Sequence, residues 1–527
     1  MHKRNFPSAL GLLLVAFTCL GLSSFAGGQT AQDRITQSIN MQQVVKLHDR
    51  LSVLDSATDL GPLNPNTVFD RMVLVLKPSA AQQQDLNTLV QSQQEKGSAN
   101  YHQWLTPQQY GERFGASQND INKITAWLQA QGFHVDKVPN SRRWIVFSGT
   151  SGQVEQTFHT QLHTYTVKGE HHIANASVTS IPQALSPVVG GILSLHNFFS
   201  KPDIPAIRKH APNTTLSNGS YALSPADFAT IYDVNPVYKS GTTGAGQTIA
   251  IVGRSDIDPL DISDFRTMMG LPAAKFQTIL NGPDPGVNGD SVEQTLDVTW
   301  SGAVAPGAMI DLVVSGLAAA TDGVDLSAAY IVDNDLAPIM STSYGQCEQV
   351  LALNGVAYWQ SIWEQAAAEG ISAFVSTGDN GGAGCDDPST ESAAQLGFAV
   401  NGLASTQYNV AVGGTEFNDA ATPSQYWSAQ NNPTDLSSAL GYIPEMAWNE
   451  TAPNADQPLG SIYAGSGGVS LLYSKPSWQT GKGVPLDGQR DLPDISLTAS
   501  SHDGYILCLR AYGGDCSQGY FFTVGGT

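Results

Sequence analysis

Five short apolar runs in the second half of the chain constrain its fold more than any other feature. They are "TIAIVGRS" (248–255), "MIDLVVS" (309–315), "PIMSTSYG" (338–345), "SAFVSTGDNG" (372–381) and "YNVAVGGTEF" (408–417). Helical patterns lie between several of them, at about 291–304, 323–333 and 355–369. Apolar strands that alternate with helices are typical of a parallel sheet covered by helices on both faces. We therefore predict an α/β domain over residues 219–527.

The first half of the chain has a different pattern and predicts a separate α+β unit over residues 35–197. "RMVLVLKP" predicts a buried strand, "SQNDINKITAWLQAQG" a helix capped by Ser117, and "FHVDKVPNSRRWIVFSG" a hairpin. Residues 198–218 lose this periodicity and are rich in Pro, Asn, Ser and Thr, which indicates a linker. A chain of 527 residues is also long enough for two domains.

The N-terminus predicts export. Lys3 and Arg4 precede the apolar run "ALGLLLVAFTCLGL", and the small residues Ser24 and Ala26 follow it. This order is typical of a secretory signal peptide, here residues 1–26, and implies a secreted or periplasmic protein. An uncleaved membrane anchor is the alternative. No later run is long enough to span a bilayer, so we expect no membrane association after the signal is removed.

Four cysteines remain once Cys19 is removed with the signal. An even number of cysteines in an exported chain indicates disulfides. We favour the pairs Cys347–Cys385 and Cys508–Cys516, although four cysteines allow three pairings. No cysteine or histidine spacing typical of a zinc site is present.

The charge is divided unevenly between the two halves. Residues 1–213 carry a net charge of +4 and residues 214–527 carry −25. This division predicts electrostatic attraction between the two units, which acidification would weaken. The acidic half has no basic stripe, so nucleic acid is not an expected partner.

One helical segment, "GDSVEQTLDVTWSG" (289–302), carries a pair of acids. Val292, Leu296 and Trp300 recur every four residues as a buried stripe, and Glu293 and Asp297 lie one turn apart beside it. Two partly buried carboxyls at this spacing do not ionise independently, and such a pair can act as a general base and its orienter. The spacing by itself favours the alternative, an exposed acidic face.

A third acid follows a predicted strand. In "FVSTGDNGG" (374–382), Asp379 stands at the carboxyl end of a parallel strand, where active sites of α/β folds are commonly found. If protonated, its carboxyl could donate a hydrogen bond to a developing oxyanion. An ordinary role in a turn is the alternative.

Three other patterns are set aside. "SGTSG" (148–152) resembles a nucleophile turn but lies in the first unit without paired acids. The glycines of "GAGQTIAIVG" precede a strand, whereas dinucleotide binding needs them after it. His159 and His163 are four residues apart on a predicted short helix but lack a third metal ligand, so we interpret them as surface residues.

The ordered set of motifs resembles the sedolisin, or kumamolisin-like, serine-carboxyl peptidases, which have a subtilisin-type fold. In the first half, "YHQWLTPQQYGERFG" and "VFSGTSGQVEQTFHT" resemble the activation propeptide of that family. In the second half, the family's segments occur in the family's order: "EQTLD", "STSYG", "STGDNGG", "VGGTEF", "GGVSLLYSKPSW" and "RDLPDIS". Each segment is weak by itself, but the ordered set is specific and covers nearly all of the chain after the signal.

The resemblance implies roles for the three acids. Glu293 matches the general base, Asp297 the acid that orients it, and Asp379 the acid that stabilises the oxyanion. The family's nucleophile is the serine of a Gly-Thr-Ser motif, which here would follow Gly526-Thr527. We expect this chain to be a fragment that stops before the serine and is inactive without it.

The resemblance also implies calcium, bound by residues beyond Thr527, and a propeptide that assists folding and blocks the site until it is removed at low pH. The expected function is hydrolysis of protein and peptide substrates by a secreted endopeptidase zymogen, with the activation site in the linker. A non-catalytic secreted binding protein and a defunct peptidase fragment are the alternatives.

Overall fold

The computed structural model describes residues 31–47, 49–202, 208–210, 221–451 and 461–527. The predicted signal peptide and most of the predicted linker lie outside the described residues. Among the described residues, no helix combines the length and the apolar character that a membrane span requires.

The N-terminal unit, residues 31–197, is built from antiparallel sheets and helices. Its strands are β1 (Val44–Lys46), β2 (Thr58–Pro62), β3 (Val68–Leu76), β4 (His134–Lys137), β5 (Trp144–Thr150), β6 (Leu162–Val167), β7 (Glu170–Asn175), β8 (Ser180–Pro182) and β9 (Val189–Ile192). Its helices are α1 (Ala80–Gln94), α2 (Pro107–Phe114), α3 (Gln118–Ala130) and α4 (Ser151–Phe158). The main sheet has the order β4-β5-β3-β9, and β2-β6-β7 form a second sheet. The predicted α+β class of this unit is therefore correct.

The linker and the C-terminal unit, residues 221–527, contain the remaining elements. The strands are β10 (Lys201–Pro202), β11 (Arg208–His210), β12 (Thr248–Gly253), β13 (Phe276–Leu280), β14 (Met309–Val314), β15 (Ile339–Thr342), β16 (Tyr344–Gly345), β17 (Ser372–Ser376), β18 (Val410–Phe417), β19 (Glu445–Ala447), β20 (Gly468–Ser474), β21 (Gln489–Leu492), β22 (Ile495–Thr498), β23 (Tyr505–Leu507) and β24 (Phe521–Val524). The helices are α5 (Pro225–Ile231), α6 (Asn235–Lys239), α7 (Pro259–Met268), α8 (Ser291–Val304), α9 (Gly323–Asp333) and α10 (Glu348–Glu369).

The central sheet of the C-terminal unit is parallel. Its strand order is β13-β14-β12-β15-β17-β18, β22 pairs with β18 in parallel, and β19 adds an antiparallel edge. All five apolar runs noted in the sequence contribute a strand to this sheet. The fold is a subtilisin-like α/β fold, as predicted. One helix is longer than predicted: α10 begins at Glu348, and Gly355 lies inside it, where its missing side chain admits Leu351.

Alternation along the central strands explains why both faces are covered. On β12, Ala250 and Val252 belong to the core shared with α9 and α10, whereas Ile251 belongs to the core on the other face. Val298 of α8 and Ile262 of α7 pack into that second core. A strand buried on both sides needs apolar residues at nearly every position, which produced the continuous runs in the sequence.

The N-terminal unit packs on α9 and α10 through the outer face of its main sheet. Val73 and Trp144 from β3 and β5 share a hydrophobic core with Val332 of α9 and Trp359 of α10, whereas Leu74 packs inward on the N-terminal unit's own helices. The apolar run in β3 is therefore continuous because each of its faces lies in a core.

Polar contacts surround this apolar interface. The backbone N–H groups of Asn140 and Ser141 donate to the Asp333 carboxylate over 3.1 and 2.9 Å. Arg143 lies 3.5 Å from Glu364 and both side chains are buried. A basic group of the N-terminal unit, Arg143, thus meets an acid of the C-terminal unit, in the sense that the charge division predicts.

Two details of the sequence analysis can be compared directly with the structure. Both favoured disulfides, Cys347–Cys385 and Cys508–Cys516, are present. The placement of His159 and His163 on one helix is wrong, because α4 ends at Phe158, His159 adopts a left-handed conformation with φ of 53°, and His163 lies on β6. A residue with positive φ ends the helical hydrogen-bond pattern.

One buried acid at the end of α10 makes the stability of the protein depend on pH. Glu369 is 5% exposed, and burial raises its pKa from 4.5 to about 9. The nearby Asp335 and Asp333 add to this increase, whereas a hydrogen bond from Gln365 opposes it. The folded chain therefore holds a proton that the unfolded chain releases above pH 4.5. This difference lowers the free energy of unfolding as pH rises from 4.5 towards 9.

We predict that Glu369→Gln raises the free energy of unfolding at pH 7 by up to about 3 kcal/mol and has little effect at pH 4. The substitution keeps the shape of the protonated side chain but removes its titration. Urea denaturation at the two pH values measures the effect, with Glu112→Gln on the exposed face of α2 as the control. Equal destabilisation by Glu369→Gln at both pH values would contradict the prediction.

Candidate active site

The acid pair lies at the start of helix α8. Glu293 is in the first turn of the helix and is 4% exposed, and Asp297 follows one turn later. The exposed acidic face that spacing alone favours is therefore wrong for Glu293. The N-terminal end of a helix favours a nearby negative charge, so the ionised form of Glu293 gains stabilisation from α8.

Asp297 sits in an environment that keeps its carboxyl protonated. Its Oδ1 accepts a hydrogen bond of 2.8 Å from Ser343 Oγ, and its buried Oδ2 has no hydrogen-bond partner among the described residues. Burial raises the pKa of Asp297 to about 7, although the Ser343 hydrogen bond opposes the shift. Below that pH the carboxyl is neutral and can act as a hydrogen-bond donor.

Asp379 lies three residues after the end of β17 and is fully buried. Gly378, which precedes it, has φ of 100°, a backbone conformation that glycine adopts without strain. Asp379 Oδ1 accepts hydrogen bonds of 2.9 Å from both the backbone N–H and the hydroxyl of Thr527. Gly378 N–H in turn donates to Thr527 Oγ1 over 3.1 Å. Two segments 148 residues apart are thus joined at this acid.

The segment that carries Thr527 also packs against α8. Phe522 and Val524 of β24 share a hydrophobic cluster with Val292 and Leu296, which belong to the stripe beside the acid pair. The Gly526 N–H donates to the Ala499 carbonyl over 2.7 Å and fixes the turn after β24. The structure therefore connects Thr527 to Asp379 by hydrogen bonds and to the acid-bearing helix by apolar packing.

The linker passes beside this region. Lys201 and Pro202 form β10, which pairs antiparallel with β16 (Tyr344–Gly345). Ser200 anchors the linker through its N–H and hydroxyl, which donate to Asp322 over 2.8 and 2.6 Å. β16 directly follows Ser343, which donates a hydrogen bond to Asp297. The linker backbone therefore occupies the edge of β16, next to Ser343.

Sequence reasoning did not assign a role to Ser343 or Thr527 in this cluster. Ser343 follows β15, so its position at the carboxyl end of a parallel strand was a signal that could have identified it. Arg254 is a second omission: it follows β12 and lies 2.6 Å from Asp290, the residue that precedes α8, and 3.0 Å from Asp322. These ion pairs hold the start of α8 beside the linker anchor.

The chemistry available here is that of carboxyl groups in different protonation states. Asp297 favours the neutral form up to a pH of about 7, and Glu293 lies one turn before it on α8. A neutral carboxyl beside a second carboxyl can serve as the hydrogen-bonding partner of a base. Asp297 accepts a hydrogen bond from the Ser343 hydroxyl, and Asp379 accepts hydrogen bonds from the hydroxyl and the backbone N–H of Thr527.

Comparison with known proteins gives consistent matches. The family model "Pro-kumamolisin, activation domain" matches residues 55–198. Sedolisin from Pseudomonas sp. strain 101 is 28% identical over 86% of this chain and 74% of its own length. Kumamolisin from Bacillus sp. strain MN-32 is 25% identical over 77% of this chain and 70% of its own length. Xanthomonalisin from Xanthomonas sp. strain T-22 is 26% identical over 79% of this chain and 52% of its own length.

One solved structure is also similar. Pseudomonas sedolisin, a serine-carboxyl proteinase complexed with two molecules of pseudo-iodotyrostatin, aligns with a TM-score of 0.44 and 25% identity. The alignment covers 58% of this chain and 76% of that chain. The family assignment depends on the activation-domain match and on the three sequence relatives, which together span both units. This chain carries a pro-kumamolisin-type activation domain and is similar across both units to sedolisin and the related serine-carboxyl peptidases.

Proposed function

We propose that the protein is the zymogen of a secreted endopeptidase that cleaves peptide bonds at acidic pH with a Ser-Glu-Asp triad. The observation that carries this proposal is the pair of hydrogen bonds from Thr527 to Asp379. A serine that follows Thr527 would stand next to the acid that the family resemblance assigns to the oxyanion. The family's Gly-Thr-Ser motif and the oxyanion acid would then belong to one site.

Glu293 is the proposed general base. It would take the proton of the serine hydroxyl as the serine oxygen attacks the substrate carbonyl carbon, and it would return that proton to the leaving amine. Neutral Asp297, one turn along α8, would donate a hydrogen bond that orients the Glu293 carboxylate. The raised pKa of Asp297, about 7, supports this role because the proton needed for donation is present at acidic pH.

Asp379 is the proposed oxyanion-stabilising group. With Oδ1 occupied by Thr527, the other oxygen of a protonated Asp379 could donate to the negatively charged oxygen of the tetrahedral intermediate. A carboxyl donates only while it is protonated, so this arrangement favours activity at low pH. The acyl-enzyme would then be hydrolysed by water, with Glu293 as the base a second time.

The activation domain is proposed to block the site through the linker, since β10 pairs with the strand edge beside Ser343. Acidification would loosen this segment through particular groups. Burial, followed by His172, lowers the pKa of His196, which lies at the end of the N-terminal unit just before the linker, to about 4. The docked form therefore resists the proton that a released His196 accepts below about pH 6.5. The docked state therefore loses stability as pH falls from 6.5 towards 4.

The acids on α9 and α10 respond differently to burial and to the N-terminal unit. Burial raises the pKa of Asp333, whereas its contacts with Ser141, Asn140 and Lys137 of the N-terminal unit oppose that shift. Near Lys201, burial alone would raise the pKa of Asp387, but hydrogen bonds from Ser389 and Lys201 outweigh it and lower the pKa. We therefore propose His196, at the junction of the N-terminal unit and the linker, as a group through which acidification favours release.

The calcium site that the resemblance implies would take its ligands from residues after Thr527. We assign no described residue to it and route no step of the mechanism through it. Secretion is likewise part of the proposal and depends on the predicted signal peptide over residues 1–26.

A fluorophosphonate probe tests the proposed function, because it forms a covalent bond with an activated serine. We expect the product of the complete reading frame to be labelled on the residue after Thr527 and to hydrolyse casein at pH 4 but not at pH 7. A polypeptide of residues 1–527 should show neither reaction, and heat-denatured protein is the control for non-specific labelling. Folded product that gives no label and no proteolysis at either pH would overturn the proposal in favour of a binding protein.

A further inference from the structure

A second cluster of ligand-type side chains lies outside the acid pair and Asp379. One carboxylate oxygen from each of Asp419 and Asp503 and one ring nitrogen of His502 lie within 4.8 Å of one another. Asp419 follows β18, and His502 and Asp503 follow β22, so the two parallel strands deliver them to the same edge of the central sheet. Proposed catalysis uses none of the three residues.

An independent feature of Asp419 indicates that the cluster lacks a component. Asp419 is 1% exposed, and its Oδ2 accepts a hydrogen bond of 2.6 Å from Trp427 Nε1. Its Oδ1 is buried without a hydrogen-bond partner among the described residues. A buried carboxylate oxygen without a partner costs free energy, which a bound cation would recover.

The neighbouring groups add negative charge. Asp503 is 2% exposed, and its two oxygens accept from Tyr221 N–H at 2.7 Å and pair with His502 Nδ1 at 2.9 Å. Glu450, which accepts from the Ser500 and Ser501 hydroxyls, lies close enough to interact electrostatically with His502. Among the described residues, His502 is the one basic side chain that pairs with an acid of this group, Asp503. The cluster therefore contains more carboxylates than basic groups.

We propose that Asp419, His502 and Asp503 form a structural site for one divalent transition-metal ion, with Zn²⁺ as the ion of best fit. Zn²⁺ is bound by imidazole nitrogen and carboxylate oxygen, usually with four ligands, whereas Ca²⁺ takes oxygen ligands. The His502 side chain is 47% exposed, so its ring has room to turn towards the ion and solvent can supply a fourth ligand. Binding releases the proton that His502 shares with Asp503.

The ion would join three segments that otherwise meet through hydrogen bonds. Asp503 holds Tyr221, the first described residue after the linker, whose ring stacks on Trp427 at 4.5 Å. Trp427 Nε1 in turn donates a hydrogen bond to Asp419, so the contacts lead from Asp503 through Tyr221 and Trp427 to Asp419. Close to His502, the Ala499 carbonyl accepts the Gly526 N–H, so the same ion would stiffen the support of Gly526 and Thr527.

The test measures binding of Zn²⁺ by isothermal titration calorimetry, using chelator-treated protein of residues 1–527 and its variants. We expect one Zn²⁺ per chain that His502→Ala and Asp419→Asn each weaken by about tenfold or more. Zn²⁺ should raise Tm by several degrees in the unaltered protein and not in the variants, and Ca²⁺ should have no such effect. His134→Ala is the matched control, because His134 forms an exposed pair with Asp136 at 2.8 Å and belongs to no three-ligand cluster among the described residues.

Three outcomes would overturn the site. These are no saturable Zn²⁺ binding to the unaltered protein, an equal affinity in His502→Ala, and an equal loss in His134→Ala. Because His502 is half-exposed, its replacement keeps the test decisive even where Asp419→Asn fails to fold. Calcium binding at the same residues would contradict the assignment to a transition metal.

Discussion

Glu293→Gln is expected to lower kcat of the acid-activated enzyme by about 10²- to 10⁴-fold, the usual contribution of a general base. Glutamine fills the same volume at the start of α8 but cannot accept the serine proton. The measurement is the initial rate on a fluorogenic peptide at pH 4, and KM should change little because the substitution affects a proton transfer and not substrate binding.

The control for this experiment is Glu369→Gln. Glu369 is also a buried acid, but it ends α10 just before β17 begins, at the sheet edge opposite to the one that carries Asp379. It should leave kcat/KM within about twofold while raising stability at pH 7. A Glu293→Gln enzyme with normal kcat would show that the acid pair is structural, and a parallel loss in both variants would indicate a general effect on folding.

Asp379→Ala is expected to lower kcat by about 10²- to 10³-fold, which is typical for removal of one oxyanion donor. Affinity for a peptide aldehyde, which forms a tetrahedral adduct with the serine, should fall with kcat, whereas substrate KM should not. The tetrahedral adduct develops the negative oxygen that Asp379 is proposed to bind, and the substrate ground state does not.

A second variant separates this role from the support of Thr527. Thr527→Val removes the hydroxyl that donates to Asp379 and accepts from Gly378 N–H, but it retains the backbone N–H bond of 2.9 Å to Asp379. The loss of two hydrogen bonds of about 1 kcal/mol each predicts a decrease in kcat of at most roughly thirtyfold. Equal losses in Thr527→Val and Asp379→Ala would show that Asp379 acts only by positioning the turn.

Local patterns in the sequence predicted the elements well. The apolar runs identified the central strands because a strand buried on both faces leaves few polar positions. The spacing of Glu293 and Asp297 identified neighbours on one helix, since residues four apart face the same side. The same local reasoning was wrong for His159 and His163, because one left-handed residue after Phe158 ended the helix between them.

Protonation states could not be predicted in the same way. Whether an acid is neutral depends on what covers it, and for Asp297 that includes Ser343, which lies on a different strand. The charge division predicts that the two units attract each other and that acidification weakens this attraction. It could not indicate that burial raises the pKa of Asp333 and of Glu369, because burial depends on which groups cover each side chain.

The sequence by itself determined the order of strands and helices, the family and the identities of the three acids, because these follow from local periodicity and ordered motifs. Tertiary structure alone decided which groups meet: Thr527 with Asp379, the linker with β16, and Asp419 with His502 and Asp503. The physical reason is that hydrogen bonding and desolvation act over a few ångströms of space. Residues separated by 148 positions or by 83 positions are brought within that distance only when the parallel strands align their carboxyl ends.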